Sequence, residues 1–334
     1  MNVTRIHLTI GLTFLSLFLF TVSSQADVLK IATLSPDGTS WMKKIRLAAK
    51  DITKQTNNRV KIKFYPGGVM GDENAILRKM RINQLQGAAV TGGALTGFYK
   101  DANIYGMPFL FNSQKEVIHV RKYVDELILR GLEKKGLISF GLAEAGFAYI
   151  FSNSVIESVS DLRKYKVWIP DTAAARDAVK AFELSPIPLP LSDVLTGLQT
   201  GLIDTIASPP IASIALQWYT QVKYITDMPV LYGYGTMVVS KRAMKKLKKA
   251  DREIVNKVMR NVFKEINKQN QKDNIAAMAA LKNQGIKFIK PNDKQLGEWK
   301  SIALKANQRL VHNGFNSEKM FNLIQKHIAD FRNK

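Results

Sequence analysis

The sequence predicts an α/β protein of two lobes, and three observations carry that expectation. Short apolar strands alternate with amphipathic helices in a βαβαβ rhythm between residues 28 and 91. A second run of short strands separated by helices lies between residues 166 and 207. The 334-residue chain is long enough for two cores, since a domain usually holds about 100–150 residues. Parallel, doubly wound sheets of this kind hold their ligands at the loops beyond the carboxyl ends of the strands.

Residues 28–34 form the first apolar strand. The turn Ser35-Pro36-Asp37-Gly38-Thr39-Ser40 then starts a helix with Trp41, Ile45, Ala48, Ala49 and Ile52 on one face. Val60, Ile62 and Phe64 alternate with Lys61 and Lys63 as a second strand ending at Pro66-Gly67-Gly68. Asp72 opens a helix carrying Ile76, Leu77 and Met80, and residues 87–91 give a third strand. After a helix over 117–134, strands at 137–143 and 148–151 flank Glu144-Ala145-Gly146-Phe147, the second strand crossing between lobes. Strands at 166–169, 187–189 and 202–207, separated by helices at 172–182 and 192–200, make the second lobe. Residues 230–239 return to the first lobe, and Ser240 caps a lysine-rich helix that runs past Ala280 to a cap at Gly285. A helix much longer than 20 residues spans ~30 Å or more, about the width of a lobe, so this one runs across both. Trp299 and Leu304, then Phe315 and Ile324, mark terminal helices expected to pack on the second lobe. The chain carries no internal repeat and no low-complexity tract.

Residues 1–26 read as a secretory signal: Arg5 near the start, an apolar run over 10–22, and the small residues Ser24 and Ala26 before a cut that makes Asp27 the expected mature N-terminus. The apolar run is shorter than the ~20 residues of a spanning helix, which favours cleavage over a membrane anchor. With no cysteine there is no lipid-anchoring thiol, disulfide or thiolate ligand, and the expectation is a protein soluble in the periplasm. The net charge of +22 would suit nucleic acid or acidic surfaces. The lysines, however, are spread along helices, as over 241–249 and 264–272, rather than interleaved with aromatic residues. They read as a solvated basic face, with no nucleic-acid partner.

Enzyme chemistry lacks its parts. His7 lies in the signal, and His119, His312 and His327 form no metal-spaced pair and stand beside no nucleophile motif, so each reads as a helix-surface residue. Ser35 and Ser208 have no histidine in reach by motif. Gly92-Gly93-Ala94-Leu95-Thr96-Gly97 lacks the Gly-Lys-Ser/Thr ending of a phosphate loop, and its glycines read as allowing close backbone approach to a ligand. Neither a metal nor a cofactor is expected.

Several blocks, in order along the chain, carry a resemblance. They are Tyr65-Pro66-Gly67-Gly68-Val69-Met70-Gly71, Leu77-Arg78-Lys79-Met80-Arg81, Gly106-Met107-Pro108-Phe109-Leu110-Phe111, Lys166-Val167-Trp168-Ile169-Pro170, Leu189-Pro190-Leu191-Ser192-Asp193-Val194, Leu198-Gln199-Thr200-Gly201-Leu202-Ile203-Asp204 and Gln217-Trp218. Together they resemble the DctP-type solute-binding proteins of tripartite ATP-independent periplasmic (TRAP) transporters. The resemblance implies a two-lobed binding protein with crossover strands and a lobe-bridging helix. It implies lobe I at 27–149 plus 238–282, lobe II at 150–237 plus 283–334, and a two-part membrane permease as partner. It also implies a departure. The position of Trp168 is commonly an arginine that clamps a ligand carboxylate, and an indole with one N–H donor cannot do the same. Where many relatives carry Asp-Gly-Gln-Glu-Asn-Pro, this chain has Asp204-Thr205-Ile206-Ala207-Ser208-Pro209, so Ser208 replaces an asparagine that often helps hold the ligand. Losing a charged hydrogen bond of about 1.5–3 kcal/mol should weaken a simple carboxylate roughly tenfold or more. Arg176 is the one nearby cation, and it reads better as a surface residue.

The candidate ligand-binding residues come from strand ends. Ser35 and Trp41 follow the first strand, Met70 the second, and Gly92 and Gly93 the third; Phe147 and Tyr149 stand at the crossover. Trp168, Ser208, Pro209 and Trp218 face them from the second lobe, with Tyr234 near the return strand. Ordinary core packing is the competing reading for the aromatic residues. In the cleft, the face of Trp168 would offer up to about 4–6 kcal/mol of apolar contact, which favours a partly hydrophobic small organic solute, with or without a carboxylate. The expected function is capture of that solute by lobe closure and delivery to the permease. The alternative on the same scaffold is a periplasmic ligand-sensing or ligand-handoff interaction protein.

Overall fold

The structure, a computed structural model, describes residues 26–333, so the expected signal segment apart from Ala26 lies outside the described residues. The first lobe opens with β1 (Asp27–Thr33), α1 (Ser40–Gln55), β2 (Val60–Tyr65), α2 (Glu73–Arg81) and β3 (Gly87–Thr91). Local signals set these boundaries. The hydroxyl of Thr39 accepts from the Met42 N–H at the start of α1, and Asp72 accepts from the Ala75 N–H at the start of α2. Met42, Ile45, Ala48, Ala49 and Ile52 form the buried stripe of α1, so Met42 heads that stripe and Trp41 is only half-buried beside it. Two short 3-10 turns then lead to α3 (Gln114–Lys134) and β4 (Leu137–Ser152).

The second lobe holds α4 (Val159–Leu162), β5 (Trp168–Pro170), α5 (Ala173–Lys180), β6 (Ile187–Leu189), α6 (Val194–Gln199), β7 (Thr205–Ser208) and α7 (Pro210–Ala215). β8 (Tyr224–Ser240) returns to the first lobe. It is followed by α8 (Lys241–Lys246), α9 (Lys249–Asn283), β9 (Lys287–Ile289), α10 (Asp293–His312) and α11 (Glu318–Arg332).

The main sheet has the order β2-β1-β3-β8-β4-β7, with β9 added beside β8. It is parallel across β2, β1 and β3, as the βαβαβ rhythm predicts, but β8 joins β3 antiparallel and β4 joins β8 antiparallel, so the sheet is mixed. β5 and β6 form a separate parallel pair. Four apolar clusters fill the two lobes. In the first lobe, one lies between the sheet and α2, α3 and α11, and another between the sheet and α1 and α9. The second lobe has one cluster around Trp299 and one around Trp168 and Trp218.

Three expectations are corrected. The strands expected at 137–143 and 148–151 are a single strand, β4, because the Glu144–Phe147 interruption is a β-bulge, with Gly141 and Gly146 at positive φ absorbing the shifts in register. The lysine-rich helix is broken: α8 ends before Leu247, whose backbone is extended, and the Ser240 side chain makes no capping bond. α11 packs on α3 of the first lobe through Met320, Ile324 and Ile328 because its apolar stripe faces that wall, whereas α10 keeps Trp299, Ala303 and Ala306 in a second-lobe cluster as expected and leaves Leu304 exposed. The 35-residue α9 does bridge, with Phe263 and Ile266 in a first-lobe cluster and Leu281 in a second-lobe one.

The bulge in β4 is satisfied from α9. Asn267 accepts from the Glu144 N–H (2.7 Å), Asn270 donates to the Glu144 carbonyl (2.6 Å), and Asn274 donates to the Ala145 carbonyl (2.9 Å). These amides sit three and four residues apart, so they share one helix face and read the irregular strand. A Cβ at Gly146 would meet Asn274 Nδ2 at 2.7 Å.

Beside the bulge, Arg121 of α3 donates to the Leu142 carbonyl (2.7 Å), pairs with Asp125 (2.9 Å) and lies 3.7 Å from the carboxylate of Glu144, a residue only 2% exposed. Replacing Arg121 by Met strands Glu144 as a buried charge without a cation. Urea unfolding of Arg121→Met should therefore report a loss of about 3–5 kcal/mol; a loss below about 1 kcal/mol would show that Gln114 and Gln271, which also bond Glu144, suffice.

Candidate functional site

A cavity of about 400 Å³ opens between the lobes. The first lobe contributes the loop after β3 (Gly92, Gly93), Asn103, and the segment Met107-Pro108-Phe109. The second contributes Trp168 and Ile169 of β5, the alanine face of α5 (Ala174, Ala175, Ala178), Phe182, Leu189 and Leu191, and the end of β7 with Ser208 and Pro209. Ala148 and Ile150 of β4, residues 230–234 of β8, and Trp299 and Leu310 of α10 close the back. The small side chains of α5 leave the space that the surrounding aromatic rings then bound.

Seven of the expected residues line this cavity: Gly92, Gly93, Trp168, Ser208, Pro209, Trp218 and Tyr234. Five do not. Ser35 sits in the turn before α1, its hydroxyl shared with Thr39 (3.2 Å); Trp41 packs on the α1–α9 side of the sheet; and Met70 packs against the first-lobe core, with Lys79 donating to its carbonyl (2.8 Å). Phe147 and Tyr149 fall on the opposite face of β4 from Ala148 and Ile150, as the two-residue period of a strand requires. Phe147 meets Tyr232 edge to face at 5.5 Å.

Trp168 is wall and core at once. It is 6% exposed, packs edge to face on Trp218 at 5.6 Å, and belongs to the second-lobe cluster with Val194, Leu198 and Ile206. Its indole N–H donates to the Leu189 carbonyl (3.0 Å), so its one polar atom is already bonded within the lobe. Ser208 is likewise buried, and its hydroxyl donates to the Pro209 carbonyl (3.0 Å). Gly92 is small for a reason other than ligand approach. A Cβ there would meet the Tyr234 ring and the Ala102 carbonyl at 2.7 Å, and the Tyr234 hydroxyl donates to that same carbonyl.

Among the described lining residues there is no arginine, and the ionic groups are Asp72, Glu73, Asp171 and Lys100. The three acids are engaged. Asp72 caps α2, Asp171 pairs with Arg176 at the surface, and Glu73 accepts from the Thr91 N–H (2.6 Å) and hydroxyl (2.9 Å). Lys100 has no carboxylate partner among the described residues, although its carbonyl accepts from Asn316 (3.4 Å). Arg176 does not line the cavity.

Sequence reasoning missed Phe109, Phe182, Trp299 and Lys100. Trp299 had a signal only as a core residue of a terminal helix, and the Ala173-Ala174-Ala175 run of α5 was the one local hint of open space. Lys100 follows the glycine-rich loop by a few residues, but nothing in its own neighbourhood in sequence marks it.

Burial raises the Glu73 carboxyl above the usual glutamate range, outweighing the Thr91 bonds that act the other way. A raised folded-state pKa stabilises the fold below the unfolded value, 4.5 for glutamate, and that contribution is lost as pH rises through the folded value. Urea midpoints of Glu73→Gln relative to the unaltered protein should therefore shift in favour of Gln as pH rises from about 4.5. A difference that stays constant with pH would overturn the assignment.

Comparison with known proteins agrees with this architecture. Residues 31–313 match the family model DctP, described as bacterial extracellular solute-binding protein, family 7. An uncharacterised protein of Haemophilus influenzae is 27% identical over 209 residues, 62% of this chain and 63% of that protein, so the chain spans somewhat under two thirds of this relative's length. The sialic acid-binding periplasmic protein SiaP of Vibrio cholerae is 19% identical over 288 residues, 83% of this chain and 89% of that one. A TRAP periplasmic solute-binding protein of Ralstonia eutropha, solved with bound (S)-2-acetolactate, shares the fold with a TM-score of 0.83 at 20% identity, covering 91% of this chain and 99% of that chain. Two lobes, two shared crossover strands, a bridging helix and a family match running through nearly all of these elements lead to one conclusion: this chain belongs to the DctP family, family 7 of the bacterial extracellular solute-binding proteins.

Proposed function

We propose that this protein captures a carboxylate-bearing organic solute with a largely apolar body, closes its lobes on it, and hands it to a two-part membrane permease. The observation that carries this reading is the cavity wall, which holds Phe109, Phe182, Trp168, Trp218 and Trp299 with one unpaired cation, Lys100, among its described residues. The relatives named above are described with acids, sialic acid for one and acetolactate for the other. A carboxylate is the shared feature of those solutes, and Lys100 is the group on this wall that would answer it. Magnitudes favour an apolar body. Burying about 100 Å² of solute hydrocarbon contributes roughly 2.5 kcal/mol, about as much as one charged hydrogen bond, and so offsets the loss of an arginine clamp.

Titration calorimetry on the mature chain tests this. Aryl- and alkyl-carboxylates should bind at least about tenfold more tightly than succinate, malate or glucuronate, and Lys100→Met should weaken the favoured acids about tenfold or more. Sub-micromolar binding of succinate or glucuronate would refute the apolar reading. Unchanged affinity in Lys100→Met would remove Lys100 from it.

Capture also has a mechanical signature. A solute touching both lobes shifts the open–closed equilibrium by its differential affinity for the closed form. Small-angle scattering with a bound acid should give a smaller radius of gyration than the free protein; identical radii would favour a rigid interaction protein instead.

A further inference from the structure

Phe109 has a backbone that does not suit its side chain. Its φ is +51°, in the left-handed region that glycine enters freely and bulky residues avoid. Two bonds hold the segment there: the Phe109 N–H donates to the Val230 carbonyl (2.8 Å), and the preceding Pro108 carbonyl accepts from Asn307 of α10 (2.9 Å). The ring stacks on Trp299, with centroids 6.2 Å apart and planes at 29°. A glycine would meet the same backbone bonds without strain, so the contacts of the phenyl ring are what distinguish the residue found there.

The ring stands between two hollows. One is the interlobe cavity of about 400 Å³, and Phe109 also lines a second hollow of about 350 Å³ walled by Phe111, Met228, Pro229, Pro291 and Leu296 together with the polar Asn112, Asp227, Lys290 and Lys300. No other residue is shared by the two linings. We infer that Phe109 is the partition that separates the solute cavity from this second hollow and sets the length of apolar solute the protein accepts. The inference rests on the reading that the interlobe cavity holds an apolar acid. A chain that outgrows the cavity meets the ring end on, and the well-packed Phe109–Trp299 pair resists displacement. With the ring gone, the same chain runs on into the second hollow, where Phe111, Met228, Pro229, Pro291 and Leu296 offer it apolar surface.

Phe109→Gly removes the ring and relieves the backbone, while Phe109→Leu retains most of the bulk. Straight-chain monocarboxylates of increasing length are titrated into the unaltered protein and both variants. The unaltered protein and Phe109→Leu should share one chain length beyond which affinity stops rising. In Phe109→Gly that limit should move to longer chains, with the longest acids gaining about tenfold or more over the unaltered protein. An identical limit in Phe109→Gly overturns the partition and leaves the apolar-acid reading standing. If no acid of any length binds the unaltered protein, that reading fails, and a crystal structure of Phe109→Gly then decides the partition by itself. A single continuous hollow supports it, whereas Trp299 collapsed into the vacated space overturns it.

Discussion

Everything in this molecule hangs on the antiparallel pairing of β4 with β8, in register from Leu137 opposite Ser240 to Ser152 opposite Tyr224. Both strands run through both lobes, so one hydrogen-bonded ladder belongs to two cores. Its first-lobe end carries Leu142 and Val238, and its second-lobe end carries Ala148 and Val230. A straight ladder of this length would fix the lobes rigidly. The register shifts near Gly141 and Gly146 interrupt it at the crossing, and an interrupted ladder leaves backbone groups that must find partners elsewhere. The amides of Asn267, Asn270 and Asn274 on α9 supply those partners, so the bridging helix and the crossing strands are tied at one point. Arg121 and Glu144 add a buried charged pair to the same place.

The cavity inherits its position from that crossing. Ala148 and Ile150 form its floor because they alternate with Phe147 and Tyr149, and only one of the two faces of β4 turns toward the space between the lobes. Its chemistry comes from a wall whose polar groups are largely bonded within the protein itself. Trp168 has its N–H bound to Leu189, Ser208 has its hydroxyl bound to Pro209, and of the three wall acids Asp171 is paired, Asp72 caps a helix and Glu73 is bonded to Thr91. Polar atoms that have partners of their own offer a solute little, and what remains is chiefly ring and alkyl surface, with Lys100 as the cation without a carboxylate partner among the described lining residues. The strained backbone of Phe109 belongs to the same pattern, since a large ring is kept where glycine would fit more easily.

The excess of positive charge fits this picture as a property of the surface. Several cations are used in ion pairs that fasten elements to one another: Arg59 with Asp251 of α9, Arg309 of α10 with Asp177 of α5, and Arg332 of α11 with Glu116 of α3. Each of those three acids is buried, whereas the partner arginines are partly exposed, so the pairs position helices around the sheet. Burial of the acid makes the arginine a structural requirement in these places, which a count of net charge does not reveal.

The sequence by itself determined the βαβαβ opening, the bridging helix, the second lobe and the family, because apolar periodicity, caps and collinear motif blocks are local signals that survive without tertiary context. It also pointed to Gly92, Gly93, Trp168, Ser208, Pro209, Trp218 and Tyr234, all of which line the cavity, the glycines through their place after a strand and Trp168 and Ser208 through motif positions. Tertiary structure decided the rest. Whether Gly146 ends a strand or bulges it depends on amides more than 120 residues away on α9. Phe147 and Tyr149 turn from the cavity because strand alternation is set by pairing with β8, and Phe109, Trp299 and Lys100 meet at it only once α10 has packed across both lobes. The donor of Trp168 was visible in the sequence, but that Leu189 takes it was not, since a hydrogen bond between distant residues is fixed by the packing that brings them within 3.0 Å.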